Sequence, residues 1–282
     1  MRRAPTGPSL AVLALALAST SLPGAALAAS PAEIDRLYQA LDMPQVIQLM
    51  SDEGRNYAET LREDLFPSRD PAAWEDVVSA VYAPDRMEEV MRAAFAEEME
   101  SVAAPELLEF YESEFGGRVV GLELDARRAM LDDDVEAAAE EAARDLRDQT
   151  APRVEQLDRF IEANDLIELN VVGALNSNYA FYDGLAQGQA LPGEMTEDDM
   201  LRDVWTQEPE IRAETIEWLY AYLGLAYEPL SDEELERYTE LSQTDPGTAL
   251  NHALFAAFDV MYADISRNLG QSAAEFMAGQ DI

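Results

Sequence analysis

The sequence predicts an all-α fold, a helical bundle of about ten helices arranged as two related halves. Three observations carry this expectation. Apolar residues recur at three- and four-residue spacing over almost the whole chain beyond residue 30. Ser, Thr or Asp caps, often followed by Pro or by an acid three positions on, precede many of these runs. No stretch alternates polar and apolar residues between Gly/Asn turns as a hairpin would, and the Val-Val pairs sit inside helical patterns.

Taken in order, Ser30-Pro31-Ala32-Glu33 is a capping box with Pro at the first helical position. Ile34, Leu37, Tyr38 and Leu41 then follow at helical spacing. Met43, Val46, Ile47, Met50, Tyr57 and Leu61 make a second helix. Asp70-Pro71 caps a third, with Trp74, Val77, Val78 and Val81 on one face. Met87, Val90, Met91, Phe95, Met99 and Val102 make a fourth. Residues 106–115 give a short helix that Gly116-Gly117 is expected to stop, and one long helix is expected from about Arg118 to Gln149. Helices near 152–164 and 165–187 follow, then a loop to the cap Thr196-Glu197-Asp198-Asp199. Trp205 ends that segment and Glu208-Pro209 opens the next, with Ile211, Thr215, Trp218, Leu219 and Tyr222 on its buried face. Ser231-Asp232-Glu233-Glu234 is a second capping box. Asp245-Pro246 starts the last long helix, carrying Ala253, Ala257, Met261 and Ile265.

The N-terminus reads as a cleaved secretory signal over residues 1–28. Arg2 and Arg3 precede the short apolar run Leu10–Ala18, and Ala26-Leu27-Ala28 supplies small residues for cleavage near Ala28. The run is well short of the roughly 20 apolar residues that cross a bilayer. A periplasmic or secreted location is therefore expected, with no transmembrane segment in the mature form. The chain has no cysteine, which removes disulfides, thiolate metal sites and thiol catalysis together.

Charge is the other bulk constraint. Lys+Arg number 19 against 57 Asp+Glu, a formal net charge of −38. Every basic residue is Arg, which reads as codon bias rather than as chemistry at each position. Such a field repels nucleic acid and anionic lipid, so no nucleic-acid partner is expected.

An internal repeat is also visible. Leu108-Glu109-Phe110-Tyr111 lines up with Leu235-Glu236-Arg237-Tyr238, and the same offset pairs Phe95 with Tyr222. With about three residues inserted, Gly117 matches Gly247. The join is expected near Asn164, giving an N-terminal half at 29–163 and a C-terminal half at 164–282.

Within the first half, Glu106, Leu107, Phe110, Tyr111, Ser113 and Gly116 form an acidic-Leu start followed by Phe-Tyr-x-Ser-x-x-Gly. This segment resembles the signature of the bacterial family called domain of unknown function 2059. The second half resembles it more weakly through Glu234, Leu235, Tyr238, Ser242 and Gly247. The chain departs from the family pattern at Glu114, where Pro is common, and at Ala104-Pro105, where a Ser/Thr cap is usual. The resemblance implies an exported helical protein and no reaction. On the residues themselves, the motif reads as a packed helical corner: Leu107, Leu108 and Tyr111 share a face. Gly116 is expected to end the helix in the left-handed conformation, and Ser113 to bond a carbonyl one turn back.

The chain offers few residues for chemistry. His252 is the sole histidine, and a hydrolase would need it beside a serine such as Ser177 or Ser266, with no G-x-S-x-G elbow in the chain. One histidine and no cysteine cannot build a zinc site. The acid runs Asp132–Asp134 and Glu197–Asp199 do not fit a calcium loop, and a solvated face explains them. No cofactor and no metal are expected. Carboxylate catalysis remains open through Glu112-Ser113, which requires a second acid in an apolar cleft. Tyrosines crowd the second half, and Tyr179, Tyr182, Trp218 and Tyr222 are the candidate interaction aromatics, although aromatic stripes more often belong to a core. The leading expectation is a non-enzymatic module that binds another protein or an envelope component through a groove between the halves. A carboxylate-based cell-wall hydrolase and a loose divalent-cation binder are the alternatives.

Overall fold

The computed structural model describes residues 28–67, 71–148, 152–191 and 195–279. The signal segment, the Asp70 cap and Gln149 fall outside the described residues. Among those described there are thirteen helices and no strand, so the chain is an all-α helical bundle. They are α1 (Pro31–Ala40), α2 (Met43–Leu65), α3 (Pro71–Val81), α4 (Pro84–Met99), α5 (Pro105–Tyr111), α6 (Glu114–Ala129) and α7 (Asp133–Asp148). The remainder are α8 (Pro152–Ala163), α9 (Leu166–Gln187), α10 (Glu197–Thr206), α11 (Glu208–Tyr227), α12 (Asp232–Ser242) and α13 (Asp245–Ala278). None of the described helices is long and apolar enough to cross a membrane.

Helix starts follow the local chemistry closely. Ser30, Thr196 and Ser231 each close a capping box, taking the backbone N–H three residues on while the acid there returns a bond to the cap. Two details of the sequence reading need correction. Gly116 and Gly117 do not stop a helix; they lie in the first turns of α6, whose N-cap is Ser113. The Ser113 hydroxyl donates to the Phe110 carbonyl at 2.6 Å and accepts from Gly116 N–H at 3.0 Å. Gly116 is required because α6 turns back so sharply on α5 that a β-carbon would sit 2.0 Å from the Phe110 carbonyl oxygen. The expected long helix is also broken, at Met130–Asp132, where Asp132 accepts the Asp134 N–H at 3.0 Å and starts α7. A helix-period reading misses this because an Asx turn offers the backbone an alternative bond without disturbing the apolar spacing.

The same corner recurs between α12 and α13. Thr244 donates to the Leu241 carbonyl, accepts from Gly247 N–H, and Gly247 lies where a β-carbon would be 2.0 Å from the Leu241 oxygen. So Ser113 corresponds to Thr244 and Gly116 to Gly247, rather than Gly117, and α12 is one turn longer than α5. A second recurrence is the left-handed aspartate, Asp42 before α2 and Asp165 before α9. The order short helix, left-handed aspartate, long helix is therefore shared by α1–α2 and α8–α9.

The main core is continuous from Ile34 to Phe276. α13 carries it, packing along α9 and across α4, while α11 packs on α6 and α7. Residues from both ends of the chain meet at Phe66, Trp74 and Phe276, whose rings lie 4.9–5.4 Å apart. Helices α9 and α13 approach so closely that a β-carbon on Gly184 would lie 2.2 Å from the Arg267 carbonyl oxygen. One on Gly270 would lie 2.2 Å from that of Phe181. Beside this pair, on the side facing α11, the fold leaves an open space.

Candidate functional site

That space has two chambers sharing one wall, formed by Leu166, Tyr222, Leu223, Phe255 and Phe258. The larger is an open cavity of about 690 Å³ between α9, α11 and α13, also lined by Met50, Glu98 and Arg127 from α2, α4 and α6. Its volume lies in the usual range for small-molecule sites, roughly 300–1,000 Å³. Helical spacing builds it: His252, Phe255, Ala256, Asp259 and Tyr262 form one face of α13, and Leu166, Leu169, Asn170, Gly173 and Ser177 one face of α9. Trp218 and Tyr222, one turn apart on α11, stack at 4.9 Å on the third side.

Polar side chains are interspersed with the apolar lining of this chamber, Asn170 and Ser177 on α9 among them. Arg127 is held by Glu53 through two bonds of 2.8 and 2.7 Å. Burial alone would lower the Arg127 pKa, but the Glu53 hydrogen bonds and the nearby negative charge hold it above the ordinary guanidinium value. Asn176 donates its amide to both Asp259 oxygens, at 3.0 and 3.1 Å. His252 is exposed on the wall, and Glu98 is exposed on the rim.

The inner chamber, about 240 Å³, contains Glu123 among Tyr111, Tyr222, Tyr227 and Tyr238. Tyr227 donates to the Glu123 carboxyl at 2.6 Å, and Tyr222 donates to its backbone carbonyl at 3.2 Å. Desolvation raises the Glu123 pKa above the usual carboxylate range, and hydrogen bonds from Tyr227 and Tyr238 oppose but do not cancel it. Burial pushes all four phenols upward as well, so they remain donors. Among the described residues Glu123 is the only acid lining this chamber, with no second carboxylate there to form a glycosidase pair.

The residues singled out from the sequence are scattered by the fold. Leu107, Phe110, Tyr111 and Gly116 are buried in the α5–α6 corner, where Phe110 stacks on Tyr238 at 5.6 Å; Glu106 is exposed. Glu112 lies outside both chambers, exposed and paired with Arg36. The four aromatics divide: Trp218 and Tyr222 line the cavity, whereas Tyr179 and Tyr182 pack on a small cluster with Val171, Leu175 and Val204. The acid runs serve helix starts, Asp132 capping α7 and Asp199 closing the α10 box. No group of three or more His, Cys, Asp or Glu among the described residues is placed to hold a metal. Glu123, Arg127 and Asp259 were missed. For the first two a signal existed: 119, 120, 123, 124 and 127 share one helical face, and charges at 123 and 127 interrupt an apolar stripe. Comparison with protein-family models, characterised proteins and solved structures gives no match.

Proposed function

We propose that this protein is a non-enzymatic binding protein that receives an apolar small-molecule component of the cell envelope in the cavity between α9, α11 and α13. The observation that carries the reading is the cavity itself: about 690 Å³, open, lined mainly by apolar and aromatic side chains with a few placed polar groups. The N-terminal pattern of Arg2, Arg3, Leu10–Ala18 and Ala26–Ala28 supports export to the periplasm or beyond. The Phe-Tyr-x-Ser-x-x-Gly segment supports kinship with domain of unknown function 2059. A cell-wall hydrolase acting through Glu112 is disfavoured, because that carboxylate is exposed, lies outside both chambers and pairs with Arg36 at the surface.

The test is a plug. Gly173 lines the cavity, and a β-carbon there would meet nothing within 4 Å, so a larger side chain extends into the space without displacing the fold. A neutral fluorescent probe such as N-phenyl-1-naphthylamine should bind the unaltered protein with saturable enhancement. Gly173→Leu should weaken that binding at least tenfold while leaving the thermal midpoint unchanged or slightly higher. Equal binding by both proteins, or none by either, would remove the cavity as the functional site.

A further inference from the structure

Charge around the larger chamber is one-sided. Its lining contains one guanidinium, Arg127, and that group is paired with Glu53 through two hydrogen bonds. Glu98 and Asp259 also line the chamber, and neither forms an ion pair with any described residue. Asp259 accepts only the neutral amide of Asn176. Asp259 is half-buried beside the chamber with a neutral amide and no cation as its partner, and Glu98 is exposed at the same lining, so a cation placed there meets negative charge that no described side chain offsets. Across the wall, the stacked Trp218–Tyr222 pair presents aromatic surface, which attracts cations and gains nothing from anions. The long-range field of a chain at −38 acts in the same direction, raising the local concentration of cations and repelling anionic amphiphiles.

From these observations we infer that the cavity selects amphiphilic organic cations, an apolar body carrying an amine or quaternary ammonium group, with Asp259 and Glu98 as the counter-charges. The inference rests on the cavity reading above and adds to it the charge class of the ligand. The apolar body occupies the space among Leu169, Phe255 and Phe258, and the cationic group lies toward the carboxylates. Arg127 stays with Glu53, because releasing it would leave that acid half-buried and unpaired.

Three twelve-carbon probes that differ only in the head group decide the matter: dodecyltrimethylammonium, dodecanol and dodecanoate. Each is titrated into the purified full chain by calorimetry below its micellar concentration, in 0.3 M NaCl to screen the distant field. The ammonium should bind at least tenfold more tightly than the alcohol, and the carboxylate weakest. The double variant Glu98→Gln with Asp259→Asn should bring the ammonium down to the affinity of the alcohol. Neutralising Glu109 and Glu240, exposed acids that line neither chamber, should preserve the preference. Equal affinity for ammonium and alcohol, or a preference that survives the double variant, would overturn the charge assignment and leave the apolar cavity standing. Failure of all three probes to bind would overturn the cavity reading and this inference with it.

Discussion

Adjacent glycines at 116 and 117 meet different surroundings, and the difference is measurable. A β-carbon on Gly116 would collide with the Phe110 carbonyl, whereas one on Gly117 would meet open space. Gly116→Ala should destabilise the protein by about 1–3 kcal/mol, and Gly247→Ala should do the same at the second corner. Gly117→Ala should be neutral or stabilise by up to roughly 1 kcal/mol, because alanine gains helix propensity there. Urea denaturation of the three variants distinguishes these outcomes. Glu123 makes a pH-dependent contribution of defined sign. Its folded-state pKa is raised, so as pH climbs the unfolded chain ionises first and stability falls until the folded carboxyl ionises too. Glu123→Gln removes that loss. Its thermal midpoint should match the unaltered protein below the ordinary carboxylate pKa, about 4, and exceed it increasingly as pH rises until the folded carboxyl ionises; a gain independent of pH would assign the effect to packing instead.

Between elements, α9 and α13 pack backbone to backbone, and both line the cavity further along. Gly184 and Gly270 face each other's helix backbones, each with a carbonyl oxygen 2.2 Å from the place a β-carbon would take. Either alanine variant should cost about 1–3 kcal/mol. The double variant should cost less than the sum, because one separation of the helices relieves both clashes. Strictly additive losses would mean that the two contacts yield independently. Helix starts were legible in the sequence because a cap is local chemistry: the Ser30, Thr196 and Ser231 boxes all formed. The break at Met130–Asp132 and the one-turn difference between α5 and α12 were not, since neither disturbs the three-to-four spacing on which helix reading depends.

For the whole molecule, the dominant long-range term is repulsion among excess carboxylates. Arginines offset it locally, many of them across elements distant in sequence: Arg36 to Glu112, Arg118 to Glu234, Arg159 to Glu236 and Arg212 to Glu168. These pairs are largely exposed, and such pairs contribute little individually, about 0–1 kcal/mol. Screening should therefore relieve more repulsion than it removes attraction. The thermal midpoint is expected to rise between ~20 mM and ~500 mM NaCl; a fall would show that the ion pairs, not the excess charge, control stability.

By itself the sequence determined that the chain is helical, where most helices begin, and which chemistries its composition denies it. Those properties depend on periodicity, on caps a few residues long and on residue counts, all of which are local or additive. Only the tertiary structure decided that Trp218 and Tyr222 part company from Tyr179 and Tyr182, that Glu123 meets four tyrosines, and that a cavity opens between α9, α11 and α13. Each of these depends on how far apart packed helices are held, and that spacing is set by contacts between residues remote along the chain.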